Sequence, residues 1–208
     1  MHLLLALLLA APAFREVDPG HSSAAFRGYL AAALARLESS RAAIGRATFA
    51  VISSGRVKVD ELTDLKKGDF TSVRESLRGW GIDVDARAFA RLHDRRTSAA
   101  RTIEKNLAGY TSTNRIYVAR GQTRARLAST LVHEVNHFLN DSEKHYRTQK
   151  GILREEYRAF YAEKLLSRAR MDRAACRALK AKVIKDYQLK RVTPDDVPDV
   201  PPGILVPR

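Results

Sequence analysis

Two histidines four positions apart, with a glutamate directly after the first, make up the segment His133-Glu134-Val135-Asn136-His137. On an α-helix, positions i and i+4 share a face, so both imidazoles can reach one ion. Glu134 lies to one side of that pair, where it can take a proton from a water instead of binding the ion. The pattern is HExxH. The chemistry it serves is metal-assisted hydrolysis, with His133 and His137 as zinc ligands and Glu134 as the general base. On the same helix Leu127, Leu131, Val132, Val135, Phe138 and Leu139 form one apolar arc, and the two histidines fall opposite it beside Thr130. One face of the helix therefore enters a core and the other is left for a cleft.

Zinc in a hydrolytic site takes three protein ligands and keeps one position open. Four residues compete for the third place. Glu143 stands six positions after His137, the metzincin spacing, with Asn140 where that pattern needs a turn glycine; asparagine tolerates the left-handed conformation better than most residues. His145 is close in sequence but fits no familiar ligand spacing. Glu155 and Glu156 lie on the next long helix. There Ile152, Leu153, Ala159 and Phe160 surround Glu156, whereas Glu155 falls at the edge of that arc, toward solvent. A carboxylate amid an apolar stripe is costly unless it is paired or bound to a metal. Glu156 is thus the residue that needs a partner, and a buried ion pair is the plain alternative to a metal. Glu163, seven positions further along the stripe, would accept from a ligand histidine or pair with an arginine.

The elements that must hold these residues follow from periodicity. Residues 124–140, 152–171 and 172–189 read as helices, and 114–120, where Ile116 and Val118 alternate with Arg115 and Tyr117, reads as a strand ended by Gly121. Upstream, a helix capped by Ser22 or Ser23 runs to about residue 43, and 47–52 reads as a short strand. Residues 71–80, 86–92 and 98–107 read as short helices. From Thr193 onward the chain carries five of its seven prolines and is expected to be an extended, mostly unpacked tail, 193–208.

A strand, an HExxH helix and a second helix bearing a glutamate resemble the zincin metallopeptidases, specifically the gluzincin branch. Glu156-Tyr157-Arg158-Ala159 fits their E-x-x-A pattern, nineteen positions after His137. The resemblance covers residues 114–168. It implies an α+β, mainly helical, zincin-like fold with a small sheet whose edge strand, 114–120, precedes the HExxH helix and pairs with an extended protein or peptide substrate. It also implies that His133, His137 and Glu156 bind zinc while Glu134 activates water. Phe160 departs from the pattern, because related families place there an aspartate that orients a ligand histidine. The first hundred residues match no family pattern. Tyr157, Tyr161, His145 and Tyr146 are the nearby candidates for a donor to the oxyanion.

At 208 residues the chain suits one domain, read as a catalytic domain over 14–192 with a helical part at 14–110 and the metal-site core at 111–171. Leu3 to Ala11 is apolar and Ala11-Pro12-Ala13 is a small-x-small cleavage pattern, so residues 1–13 read as a signal peptide and the protein as exported, periplasmic or secreted. No other segment is apolar enough to span a bilayer. The lone Cys176 excludes an internal disulfide. The formal charge of +14 would suit an anionic partner. The basic residues are evenly spread, however, with no dense run interleaved with aromatics, so no specific nucleic-acid binding is expected. Two rival functions remain: a catalytically inactive zinc-binding module, and a basic nucleic-acid or cell-surface binder with an incidental HExxH. The presence of Glu134 argues against the first, since zinc binding alone does not require it.

Overall fold

The computed structural model describes residues 24–94, 96–142 and 145–204. The signal-peptide reading of 1–13, the caps at Ser22 and Ser23, and the competing ligand Glu143 lie outside the described residues. The chain forms α1 (Ala24–Glu38), α2 (Ala43–Ser53), β1 (Lys58–Glu61), α3 (Lys67–Gly79), α4 (Ser98–Asn106), β2 (Gly109–Ser112), β3 (Arg115–Val118), α5 (Arg124–Leu139), α6 (Gln149–Leu166) and α7 (Arg173–Asp186). The fold is α+β and mainly helical, with one small sheet. Among the described residues no helix is long and apolar enough to cross a membrane.

α5 runs through the middle. Thr123 caps it by accepting from the Arg126 N–H at 3.2 Å. Its apolar arc, Leu127, Ala128, Leu131, Val132 and Val135, is fully buried against Phe26, Leu30, Leu34 and Leu37 of α1. Each such side chain contributes about 1.5–3 kcal/mol by leaving water. α2 packs beside α1, and residues 47–52 belong to it rather than to a strand. Ile44, Thr48 and Val51 are its buried positions, and this three-to-four residue spacing is helical, which outweighs the short β-branched and aromatic run. The single helix expected up to residue 43 is broken after Glu38, where Ser40 Oγ accepts from the Ala42 N–H at 3.2 Å.

The sheet has the order β1-β3-β2, with β1 parallel and β2 antiparallel to β3. The strand that precedes the HExxH helix is therefore central, and the expectation that 114–120 forms the edge is corrected: β2 is the edge beside α5. Two neighbours of β3 escaped the sequence because each has only four residues, and β2, half-buried at every position, lacks alternation. Asp69 ties α3 to this hairpin, accepting from Ser112 Oγ at 2.7 Å and Tyr117 Oη at 2.6 Å. α3 begins four residues earlier than expected, 86–91 is a 3₁₀ turn, and α6 ends at Leu166 before Arg168 takes a left-handed φ of 56°.

The proline-rich tail, described as far as residue 204, is packed, contrary to expectation, and opens with a 3₁₀ turn over Pro194–Asp196. Val197 and Pro201 are buried. Lys180 of α7, itself buried, donates to the Val197 carbonyl at 2.8 Å and to Asp199 at 2.7 Å. Tyr157 Oη donates to the Asp199 carbonyl at 2.5 Å, and Asn140 Nδ2 to the Gly203 carbonyl at 3.1 Å. Prolines restrict the unfolded chain, so docking this segment loses less entropy than its length suggests. Removing residues 193–208 deletes these hydrogen bonds and uncovers the apolar surface beneath Val197, so the melting temperature should fall by several degrees. Thermal denaturation of the truncated chain checks this, and an unchanged melting temperature would refute the docking.

Candidate metal centre

α5 and α6 pack face to face, and their opposed polar positions line a cleft of about 730 Å³. Its far wall is the β2 edge with one face of α3. His133, Glu134 and His137 are almost wholly buried at its floor rather than freely exposed. Glu156 reaches them from α6. Its Oε2 lies 3.5 Å from His133 Nε2 and its Oε1 lies 3.7 Å from His137 Nε2. Among the described residues, His133, His137 and Glu156 form the group able to share an ion, their ligand atoms all within 4.8 Å of one another. A tetrahedral ion with ligand bonds of about 2.0–2.1 Å needs its ligand atoms roughly 3.3 Å apart. A small contraction of this cluster supplies that spacing.

Each histidine is oriented by a partner behind it. His133 Nδ1 lies 2.8 Å from Glu163 Oε1. A carboxylate only accepts, so Nδ1 carries a proton, and Nε2 is the nitrogen that would face an ion once its own proton is displaced. Glu163 also accepts from Ser129 Oγ at 2.6 Å and from Arg126 at 3.3 Å, so it faces both a histidine and an arginine. The Phe160 ring packs edge-on against His133 at 4.7 Å. His137 Nδ1 lies 3.2 Å from Ser142 Oγ, which donates to Glu155 Oε2 at 2.6 Å. That hydroxyl must then accept from His137, which leaves Nε2 open.

Glu155 corrects the sequence reading. It is fully buried, not solvent-facing, and forms an ion pair with Arg158. The missed signal is that i, i+3 pair, which marks the flank of α6 as a second polar seam. His145 is exposed and takes no part in the cluster. Of the donor candidates, Tyr157 is turned away toward Asp199 and Tyr161 lies in the α6–α7 core. Tyr146 reaches the site, donating to Glu156 Oε1 with its Oη 3.5 Å from His137 Nε2. Tyr187 was not foreseen. It comes from the end of α7 and donates to Glu156 Oε2 at 2.6 Å.

Glu134 is placed by the sheet edge. Thr111 Oγ1 donates to its Oε2 at 2.6 Å and to its backbone carbonyl at 3.0 Å. Gly109 leaves room for it, since a Cβ there would stand 2.5 Å from Glu134 Oε1. Burial pushes the Glu134 carboxyl up to about 7. Burial also lowers His137, to about 3. Burial alone would lower His133, but its hydrogen bonds to Glu156 and Glu163 outweigh that and hold it at about 10. For Glu156 burial acts upward, yet the two imidazoles and Tyr146 outweigh it and keep the carboxyl below the ordinary range. This set could hold a cation: two buried carboxylates and the half-buried Glu163 surround two imidazoles, and one imidazolium with Arg126 does not balance them.

Comparison of the chain with protein-family models, with curated proteins and with solved structures found no match.

The metal-free protein should therefore lose stability at alkaline pH. Above about pH 8 Glu134 is ionised in both folded and unfolded chains and His137 is neutral in both. His133 alone of these groups still differs, being raised when folded. Its contribution is fully present below the unfolded value of about 6.5 and is lost as pH rises through the folded value of about 10. Denaturant unfolding in chelator between about pH 8 and 10 should show a decline of up to about 1.4 kcal/mol per pH unit that disappears in His133→Asn. A flat profile in the parent would contradict it.

Proposed function

We propose that the chain is a zinc metallopeptidase of the zincin type, with His133, His137 and Glu156 as ligands and Glu134 as the general base. The observation that carries this reading is the convergence of HExxH and the Glu156 carboxylate around one ion-sized space, with each histidine Nδ1 held from behind. A buried ion pair as the sole purpose of Glu156 would need one cation; instead two imidazoles and two phenols are directed at it.

A divalent zinc held there supplies the Lewis acid that acidifies water and polarises the peptide carbonyl. The chain's own residues do the rest. Thr111 and the β2 edge fix Glu134 on the cleft floor, where it takes a proton from the attacking water. The water oxygen bonds to the carbonyl carbon, and the carbonyl oxygen gathers negative charge. The C–N bond then breaks, its electron pair goes to nitrogen, and Glu134 delivers the proton there. The second proton of the water also passes to nitrogen, so one carboxylate and one ammonium result. Burial and the neighbouring Glu156 carboxylate hold the Tyr146 hydroxyl well above its ordinary pKa, so it stays a donor at neutral pH. Its place beside His137 suits the oxyanion. The exposed edge of β2 offers backbone groups to an extended peptide.

Elemental analysis after loading should give about one zinc per chain for the parent and Glu134→Gln, and little for His137→Ala or Glu156→Ala. Hydrolysis of a mixed peptide library should fall on the order of 10²–10⁴-fold in Glu134→Gln. Tyr146→Phe should lose up to about 10²–10³-fold in kcat while keeping its zinc. Gly109→Ala, which crowds Glu134, should lower kcat with metal content unchanged. A folded parent that takes up no zinc would end this reading. A zinc-loaded parent as inert as Glu134→Gln would replace it with an inactive zinc-binding module.

A further inference from the structure

Ser72, Ser76 and Trp80 stand at four-residue spacing along the α3 wall, so small hydroxyls give way to an indole at its C-terminal end. The Trp80 ring meets the Tyr187 ring edge-on, with centroids 6.0 Å apart. Tyr187 belongs to the opposite wall, at the end of α7, and its hydroxyl reaches Glu156. Two aromatic rings thus span from the α3 wall to the candidate ligand itself.

Both rings stand on fixed supports. The turn that carries Trp80 is closed by the Trp80 and Ile82 N–H groups, which donate to the Leu77 carbonyl at 3.0 Å and 2.9 Å, and Leu77 is fully buried. Gly81 supplies the left-handed φ of 78° that this turn requires. The other end of α3 is tied to the hairpin through Asp69. The Tyr187 N–H donates to the carbonyl of buried Val183 at 3.0 Å.

We propose that Trp80 and Tyr187 close one end of the cleft, so that the site takes peptides by a chain terminus: short peptides or free chain ends, not interior segments of long chains. The inference rests on the peptidase reading and adds its substrate class. The Trp80 ring centre lies no more than on the order of 11 Å from Glu156, which is about three residues of extended chain at roughly 3.3 Å each. A peptide with its reacting carbonyl at the site therefore has room for at most about three residues on this side, running past the Tyr187 ring before it is stopped at Trp80. An enzyme that cuts within long chains needs both ends of its cleft open. The apolar side chains of Ile152 and Phe160 line the remaining space and suit a side chain of the bound residue.

Trp80 is the chain's one tryptophan, so its emission reports directly on this end of the cleft. The test digests a peptide of a dozen residues with zinc-loaded parent, Trp80→Phe, Trp80→Leu and Trp80→Ala, and maps the products by mass spectrometry against a Glu134→Gln blank. Zinc content and melting temperature confirm that each variant is folded. The parent and Trp80→Phe should release only pieces of two or three residues from one end. Trp80→Leu and Trp80→Ala should also cut interior bonds, with kcat/KM for those bonds up about tenfold or more. Interior cuts by the parent, or one cleavage map shared by all four proteins, would overturn the proposal. If no protein cuts any peptide, the hydrolytic reading falls, and emission of zinc-loaded Glu134→Gln decides the cleft. A saturable change with a tripeptide, absent with the same sequence extended at both ends, upholds the closed end. Equal responses to the two, or none to either, overturn it.

Discussion

The buried carboxylate of Glu156 is the constraint around which this molecule is arranged. It sits only 4% exposed in the interface between α5 and α6. Left alone there, a carboxylate would cost several kcal/mol. Its partners come from three separate pieces of chain: His133 and His137 from α5, Tyr146 from the connection between the two helices, and Tyr187 from the end of α7. Satisfying one anion thus fixes the crossing of α5 on α6, the seat of the connecting loop and the position of the last helix. An apolar residue of similar size would fill the same space among Ile152, Leu153 and Phe160 with no such penalty. A carboxylate kept at that cost points to chemistry rather than to stability.

The three candidate residues of α5 are held by three different devices. His133 leans on Glu163 of α6, His137 on a seam that runs through Ser142 to Glu155 and Arg158, and Glu134 on the hydroxyl of Thr111. These supports lie on opposite sides of the helix, so a shift of α5 in any direction breaks one of them. That arrangement gives β2 its importance. Four residues are too few to contribute much as sheet, yet they carry the group that orients the base and the glycine that makes room for it. The Ser142 seam acts at one remove, because a hydroxyl that both accepts from an imidazole and donates to a carboxylate transmits orientation without adding a charge beside the site.

What was legible in the sequence follows from which forces are local. HExxH and the apolar arc of α5 are written at helical spacing within one element, so the face that enters the core and the face that meets the cleft could both be read. Glu156 was legible by its misfit, a charge in an apolar stripe. Glu155, one position away, was not, since its neutralisation by Arg158 and Ser142 depends on how the connecting loop folds back onto α6. Gly151 permits that fold, because a Cβ there would collide with the carbonyl of His145. Tyr187 lies more than thirty positions from Glu156 and nothing local marks it. The short strands β1 and β2 owe their existence to pairing with β3, a long-range interaction that four-residue patterns do not encode. The tail misled for a related reason: its prolines exclude helix, but they say nothing about docking, which Lys180 and Tyr157 decide from elsewhere.

Charge shows the same division between what is spread and what is local. The chain as a whole is strongly basic, at +14, and its exterior field favours anions over a range of about 10 Å at ordinary salt. The cleft has the opposite character. Arg126 is the one arginine or lysine among the described residues that line it, and it is already paired with Glu163. Three carboxylates face two imidazoles there, and a nucleic-acid phosphate would meet repulsion where a divalent cation meets ligands. With one imidazolium and Arg126 present the three carboxylates leave a formal charge near −1, and a dication that displaces the His133 proton would restore neutrality. The basic exterior can change how fast a charged partner arrives, and how salt alters that rate. It cannot set what happens at the floor of the cleft, because in a buried site the nearest groups dominate the field. The charge of the whole chain is therefore a statement about encounter, and the charge of the site a statement about chemistry.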